Sequence, residues 1–135
     1  MDESNLFKRL KRATPEFHWQ RHEDKLVSGI PDCSYGFEGV CGWIELKTYD
    51  CWPRVASSPL AFTDLKPAQI NWAIKRGQAC GRVWFLVAIG EKEWFLISWK
   101  HARLLGKLTR QELLERSDAW GSLPLNEKIL EVLSE

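Results

Sequence analysis

Two hydrophobic periods alternate along this chain. In residues 4–13, Leu6, Phe7 and Leu10 recur at helical spacing and Lys8, Arg9, Lys11 and Arg12 occupy the other face, so the stretch predicts an amphipathic helix that Pro15 ends. Residues 18–25 follow a two-residue period instead, with His18, Gln20 and His22 on one face and Trp19, Arg21 and Glu23 on the other, as a strand requires. A short second strand is expected over residues 33–37, followed by a glycine-permitted turn with Glu38 at its tip. Residues 42–48 form an apolar run interrupted by Glu45 and Lys47, which reads as a buried strand. Alternation puts Trp43, Glu45 and Lys47 on one face, while Ile44 and Leu46 point the other way into a core.

Downstream, residues 49–62 form a long connection rich in Pro, Ser and aromatic residues, a length more often functional than passive. Residues 66–77 predict a helix with Pro67 in its first turn and Ile70 and Ile74 on its buried stripe. Residues 82–89 are almost unbroken apolar sequence, as expected of a central strand covered on both faces, and residues 93–99 predict its hairpin partner after the turn at Gly90. Strand, helix and strand in this order imply an α/β fold, a central mixed sheet flanked by helices. The remaining residues, 100–135, read as a helical extension: a short helix, a second opened by the Thr109-x-x-Glu112 capping box, and a third over residues 126–133.

Composition narrows the picture. At 135 residues and 15.7 kDa, with 44% hydrophobic residues, one domain with a substantial core is expected. A net charge of +1 and a pI near 7.7 exclude a strongly basic domain, so any nucleic-acid contact must be a local patch. Cys33, Cys41, Cys51 and Cys80 lack the paired spacing of zinc sites, and neither a leader nor a membrane-length apolar run stands out. An intracellular protein with reduced thiols, most of them at least half-buried, is therefore expected. Eight tryptophans are unusual for this length; most belong in a core, but exposed ones suit stacking on unpaired bases.

Chemistry shows through at one place. Asp32 follows Pro31, and Glu45 and Lys47 follow thirteen and fifteen residues later on one strand face. If Asp32 begins the neighbouring strand, two carboxylates converge beside an ammonium. Such a pair can hold a hard, oxygen-preferring cation such as magnesium, and Lys47 could then orient an attacking water or offset charge on a phosphate.

At Pro31-Asp32 and Glu45-Leu46-Lys47 the sequence resembles the PD-(D/E)-x-K nuclease superfamily. It looks most like the small phage-type, Holliday-junction-resolvase-like branch that includes the virus-type replication-repair nucleases. Further elements match in order over residues 4–100: His-Trp-x-Arg-x-Glu at His18 to Glu23, Gly-Ile-Pro-Asp at Gly29 to Asp32, Trp-Ile-Glu-Leu-Lys at Trp43 to Lys47, and Pro-x-Gln at Pro67 to Gln69. The resemblance implies a restriction-endonuclease-like core and a Mg2+- or Mn2+-dependent endonuclease that hydrolyses phosphodiester bonds of DNA. Branched or structured DNA is the substrate it suggests, with a homodimer placing two active sites symmetrically in a phage or bacterial host cell.

By the same resemblance Asp32, Glu45 and the backbone carbonyl of Leu46 bind the metal. Glu23 is the third acid by position, with Glu3 and Glu16 as rivals because many relatives carry that acid on the first helix. Lys47 and Gln69 position the water and steady the phosphate. Lys8, Arg9, Lys11, Arg12, Arg21, Arg54 and Arg76 are the candidate DNA contacts; the first four also read as a solvated helix face, Arg21 as a surface pair with Glu23, Arg54 with Trp52 as part of a dimer interface, and Arg76 as a charge suited to its helix end. Two other classes remain open: a nucleic-acid-binding module with weak catalysis on the same fold, and a small phage-type interaction or inhibitor protein.

Overall fold

The first helix, α1 (Glu3–Ala13), starts where Asp2 accepts the Asn5 N–H at 2.8 Å and buries Leu6, Phe7 and Leu10. The chain then forms β1 (His18–Arg21), β2 (Cys33–Phe37), β3 (Val40–Tyr49), α2 (Pro67–Cys80), β4 (Val83–Ile89) and β5 (Glu93–Ser98). A 3-10 segment (Trp99–Leu104), α3 (Arg110–Arg116), β6 (Ala119–Ser122) and α4 (Glu127–Ser134) complete it. This computed structural model describes residues 1–23 and 26–135.

The six strands lie in chain order in one sheet, and β3 and β4 form its single parallel pair among the described residues. That pair needs a crossover, which the long connection and α2 provide. Leu6, Phe7 and Leu10 of α1 with Ile129 and Leu133 of α4 cover the face bearing Ile44, Leu46, Leu86 and Leu96. Ala73 of α2, Ala102 of the 3-10 segment and Leu113 of α3 cover the face bearing Phe85, Val87, Phe95 and Ile97. All seven residues of β4 are buried, as its unbroken apolar sequence requires. At the tip between β2 and β3, Glu38 and Gly39 both take positive φ, the combination a two-residue hairpin demands.

Four details differ from the sequence expectation. β1 ends at Arg21, with one further in-register bond from the His22 N–H to the carbonyl of Asp32 at 2.8 Å; Asp24 and Lys25, the end of the expected strand, lie outside the described residues. α2 continues past Gly77 to Cys80 because Gly77, buried against the Trp99 ring, is part of the helix and Gly81 supplies the left-handed cap. The segment after residue 100 is not purely helical: Ala119–Ser122 adds a sixth strand beside β5, and a four-residue strand leaves too short an alternation to read. Cys41, Cys51 and Cys80 are exposed free thiols, and Cys33 alone is buried.

A candidate active site at the parallel strand pair

β2 stops pairing with β3 at Cys33 opposite Ile44, so the next residue back, Asp32, falls beside the unpaired edge of β3. Its Oδ2 accepts the Leu46 N–H at 2.8 Å, replacing the ladder bond that the missing strand would have made. A residue in a strand presents its N–H and its carbonyl to the same edge, so the Leu46 carbonyl faces this edge too. The bond fixes Asp32 against the strand that carries Glu45 and Lys47. Gly29 helps to set the approach: it takes φ +90°, and an added Cβ would lie 2.2 Å from the carbonyl oxygen of Ala68 in the first turn of α2.

Asp32, Glu45 and Lys47 are almost fully buried, at 8%, 3% and 3% exposure. Buried charge of this kind needs compensation. The Lys47 Nζ lies 3.4 Å from Oδ2 and 3.5 Å from the carbonyl oxygen of Asp64, which precedes α2. The Tyr49 hydroxyl donates to the other Asp64 oxygen at 2.7 Å. Burial alone would raise the Asp64 carboxyl, but the Tyr49 hydroxyl and the Lys47 ammonium outweigh it and hold the group below the usual carboxylate range. Burial, helped by the Asp64 carboxylate, pushes the Tyr49 phenol upward and keeps it a donor.

Of the upstream acids, Glu3 in the first turn of α1 approaches this centre. Burial raises its carboxyl, Asp32 and Asp64 raise it further, and Lys47 and Arg21 act in the opposite sense. Glu23, favoured from sequence, and Glu16 are exposed, and Glu23 lies beyond the end of β1. Gln69 is in the first turn of α2 as expected, yet its Oε1 accepts the Lys66 N–H at 2.8 Å and so caps its own helix. Asp64 was not singled out by the sequence: it lies in an aperiodic connection outside the matched elements, and no spacing marks it as a neighbour of Lys47.

The oxygen-only donors fit a hard divalent cation. Asp32, Glu45 and the Leu46 carbonyl bring neither thiol nor imidazole, and magnesium accepts one or two carboxylates with waters completing its octahedron. Among the described residues no three His, Cys, Asp or Glu side chains gather closely enough to ligate one ion. A cation here would therefore be held by the two carboxylates, the carbonyl and water.

The expected DNA contacts divide by environment. Lys8, Lys11 and Arg12 are exposed, whereas Arg9 is tied to Glu91 at 2.7 Å. Arg21 lies over the Phe7 ring, and Arg76 lies 5.3 Å from the Trp43 ring and 4.9 Å from that of Trp72. Trp43 thus packs under α2. Arg54 is exposed in the long connection.

No family model and no curated protein sequence matches this chain significantly. Among solved structures it is similar to Hjc, a Holliday junction resolvase from the archaeal hyperthermophile Archaeoglobus fulgidus, with a TM-score of 0.58 and 17% identity over 97% of this chain and 96% of that one. The likeness extends over the whole mixed sheet and its flanking helices, and at this identity it is a likeness of fold. No helix among the described residues is long and apolar enough to cross a membrane.

Proposed function

We propose that this protein is a metal-dependent endonuclease acting on branched or structured DNA. The observation that carries the reading is the Asp32 carboxylate bonded to the Leu46 N–H, which brings a second buried carboxylate beside Glu45 and Lys47. The order of Pro-Asp, Glu-x-Lys and Pro-x-Gln along the chain supports the virus-type replication-repair branch of PD-(D/E)-x-K nucleases, and the Hjc-like fold supports a branched substrate.

In this reading Asp32, Glu45 and the Leu46 carbonyl hold magnesium or manganese, and Glu3 takes the place of the third acid for which position along the chain favours Glu23. A bound divalent ion supplies Lewis-acid polarisation of the phosphate and a more acidic water. Lys47 donates from its ammonium to the attacking water or to a non-bridging phosphate oxygen, offsetting charge that grows during hydrolysis. Asp64 and Tyr49 restrict where that ammonium can go. Gln69 reaches the site only on releasing the Lys66 N–H. Lys8, Lys11 and Arg12 supply phosphate contacts, and a homodimer would present two such sites to a junction.

The test is cleavage of labelled duplex, single strand, flap and four-way junction with magnesium, with manganese and with chelator, beside Glu45→Gln. Metal-dependent cutting of the flap or junction that is lost in the variant is the expected result. Absence of cutting on every substrate, together with no rise in Tm on adding either metal, would overturn it.

A further inference from the structure

The connection between β3 and α2 folds against the start of α3 and encloses an open cavity of about 550 Å3, within the roughly 300–1,000 Å3 range of small-ligand sites. Its wall has one electrostatic sign. Arg54, Arg110, Ser57, Ser58 and Gln111 bring hydrogen-bond donors, and no Asp or Glu lines it. The loop holds its shape through a turn closed by the Ser58 N–H on the Val55 carbonyl at 3.0 Å and through the Leu60 N–H on the Leu108 carbonyl at 3.0 Å.

One side of the cavity is flat and fixed. Trp52 stacks on Phe95 with centroids 5.9 Å apart and planes 21° apart, and its indole N–H donates to Glu93 at 3.0 Å. The Arg110 guanidinium lies 5.5 Å from the Trp52 ring and is itself bonded to Glu93 at 2.8 Å. Glu93 therefore answers the charge of Arg110. Arg54 has no hydrogen bond or ion pair among the described residues, so it is the cation left for a ligand. An indole and a guanidinium plane take the face of a base, and an arginine with neighbouring hydroxyls takes a phosphate.

The cavity belongs to the connection that leaves the strand carrying Glu45 and Lys47. On its other side the same loop forms a cleft of about 430 Å3 that shares Trp52, Pro53 and Arg54 and runs to Tyr49. The Tyr49 hydroxyl bonds to Asp64, the partner of Lys47.

Resting on the nuclease reading, we propose that the cavity seats one unpaired nucleotide of the strand being cut, its base against Trp52 and Arg110 and its phosphate on Arg54, Ser57 and Ser58. A paired base cannot offer its face in this way, so the cavity favours substrates with a single-stranded arm beside the scissile bond.

The experiment follows the Trp52 indole N–H resonance of nitrogen-15-labelled Glu45→Gln protein, assigned with Trp52→Phe, during titration with a short oligothymidylate, thymidine bisphosphate or inorganic phosphate. The resonance should shift with both nucleotide ligands, with the oligothymidylate bound more tightly, and stay in place with inorganic phosphate. Arg54→Glu should weaken oligothymidylate binding about tenfold and, with Glu45 intact, raise the KM for a flap by a similar factor at unchanged kcat. A silent Trp52, an equal response to inorganic phosphate, tighter binding of the mononucleotide than of the strand, or indifference to Arg54→Glu would overturn the proposal. Flap cleavage with a silent Trp52 would sink the cavity and spare the nuclease. A responding Trp52 without cleavage by the unmutated protein would do the reverse.

Discussion

Strands β3 and β4 run side by side in register, equally deep in the molecule, and use their shared face in opposite ways. Glu45 lies opposite Phe85 and Lys47 opposite Val87, and all four are nearly or wholly inaccessible to solvent. Phe85 and Val87 join the core beneath α2 and gain stability from burial. Glu45 and Lys47 occupy equivalent depth against a desolvation penalty that an ion pair does not reliably offset. Two adjacent strands in one environment thus separate a position that maintains the fold from one that the fold must tolerate. Stability explains β4; it does not explain the charges of β3.

The largest effect that separates the strands is on catalysis. Glu45→Gln preserves shape and removes the charge, and cleavage should fall by at least about 10³-fold, roughly 4 kcal/mol of transition-state stabilisation. Tm should stay within a few degrees of the unmutated protein or rise. Single-turnover kinetics beside thermal melting checks both halves. Retained cleavage would remove Glu45 from the site, and a collapsed Tm would make it structural. Phe85→Ala should behave in the opposite manner. Truncating this fully buried ring should lower stability by about 3–5 kcal/mol, measured by denaturant unfolding, while the folded fraction keeps its metal response.

A smaller effect tests the bracing of Lys47. Because the Asp64 carboxyl is held below its usual range in the folded state, it adds stability above its unfolded value, and that contribution is lost as pH falls through the lowered folded one. Asp64→Asn should therefore cost on the order of 0.5 kcal/mol at neutral pH, modest because the Asp64 side chain is half exposed. The difference from the unmutated protein should close on acidification below the ordinary aspartate range. A gap that persists in acid would assign the effect to packing of the Tyr49 contact instead of charge.

The same contrast explains what the sequence made legible. Periodicity sufficed wherever burial and polarity agree: the stripe of α1, the apolar run of β4, the turn at Glu38 and Gly39, and the Thr109 cap, whose hydroxyl accepts the Glu112 N–H at 3.3 Å. Asp32, Glu45 and Lys47 were legible because they violate that agreement inside an otherwise apolar or Gly-Pro frame. β6 escaped because Ala-Trp-Gly-Ser carries neither strand propensity nor a clear alternation, and its place comes from pairing with β5. Asp64 escaped because its proximity to Lys47 arises only when the long connection returns to the sheet. Between Glu23 and Glu3, nearness along the chain favours Glu23, whereas in the fold β1 ends before Glu23 and the carboxyl of Glu3 feels the charges of Asp32, Lys47 and Asp64.

The smallest effect concerns that acid, and its sign is informative. Burial, with Asp32 and Asp64 adding to it, raises the Glu3 carboxyl above its ordinary value. A raised carboxyl favours the protonated fold, so the associated stability is fully present below the unfolded value and is lost as pH rises through the folded one. At neutral pH the ionised Glu3 therefore works against the fold, and Glu3→Gln should raise Tm by roughly 1–3 °C for a chain of this size. The gain should vanish as pH falls below the ordinary glutamate range, where the raised native carboxyl is itself protonated. If Glu3 completes the acidic cluster, the same substitution should weaken magnesium-dependent cleavage and reduce the Tm rise that magnesium produces, whereas Glu23→Gln should leave both unchanged. Opposite movement of stability and activity on replacing one half-buried carboxylate would repeat, in α1, the division already drawn between β3 and β4. A Tm that falls in Glu3→Gln would instead make Glu3 a helix-start residue whose charge serves the dipole of α1, and would return the third acid to Glu23.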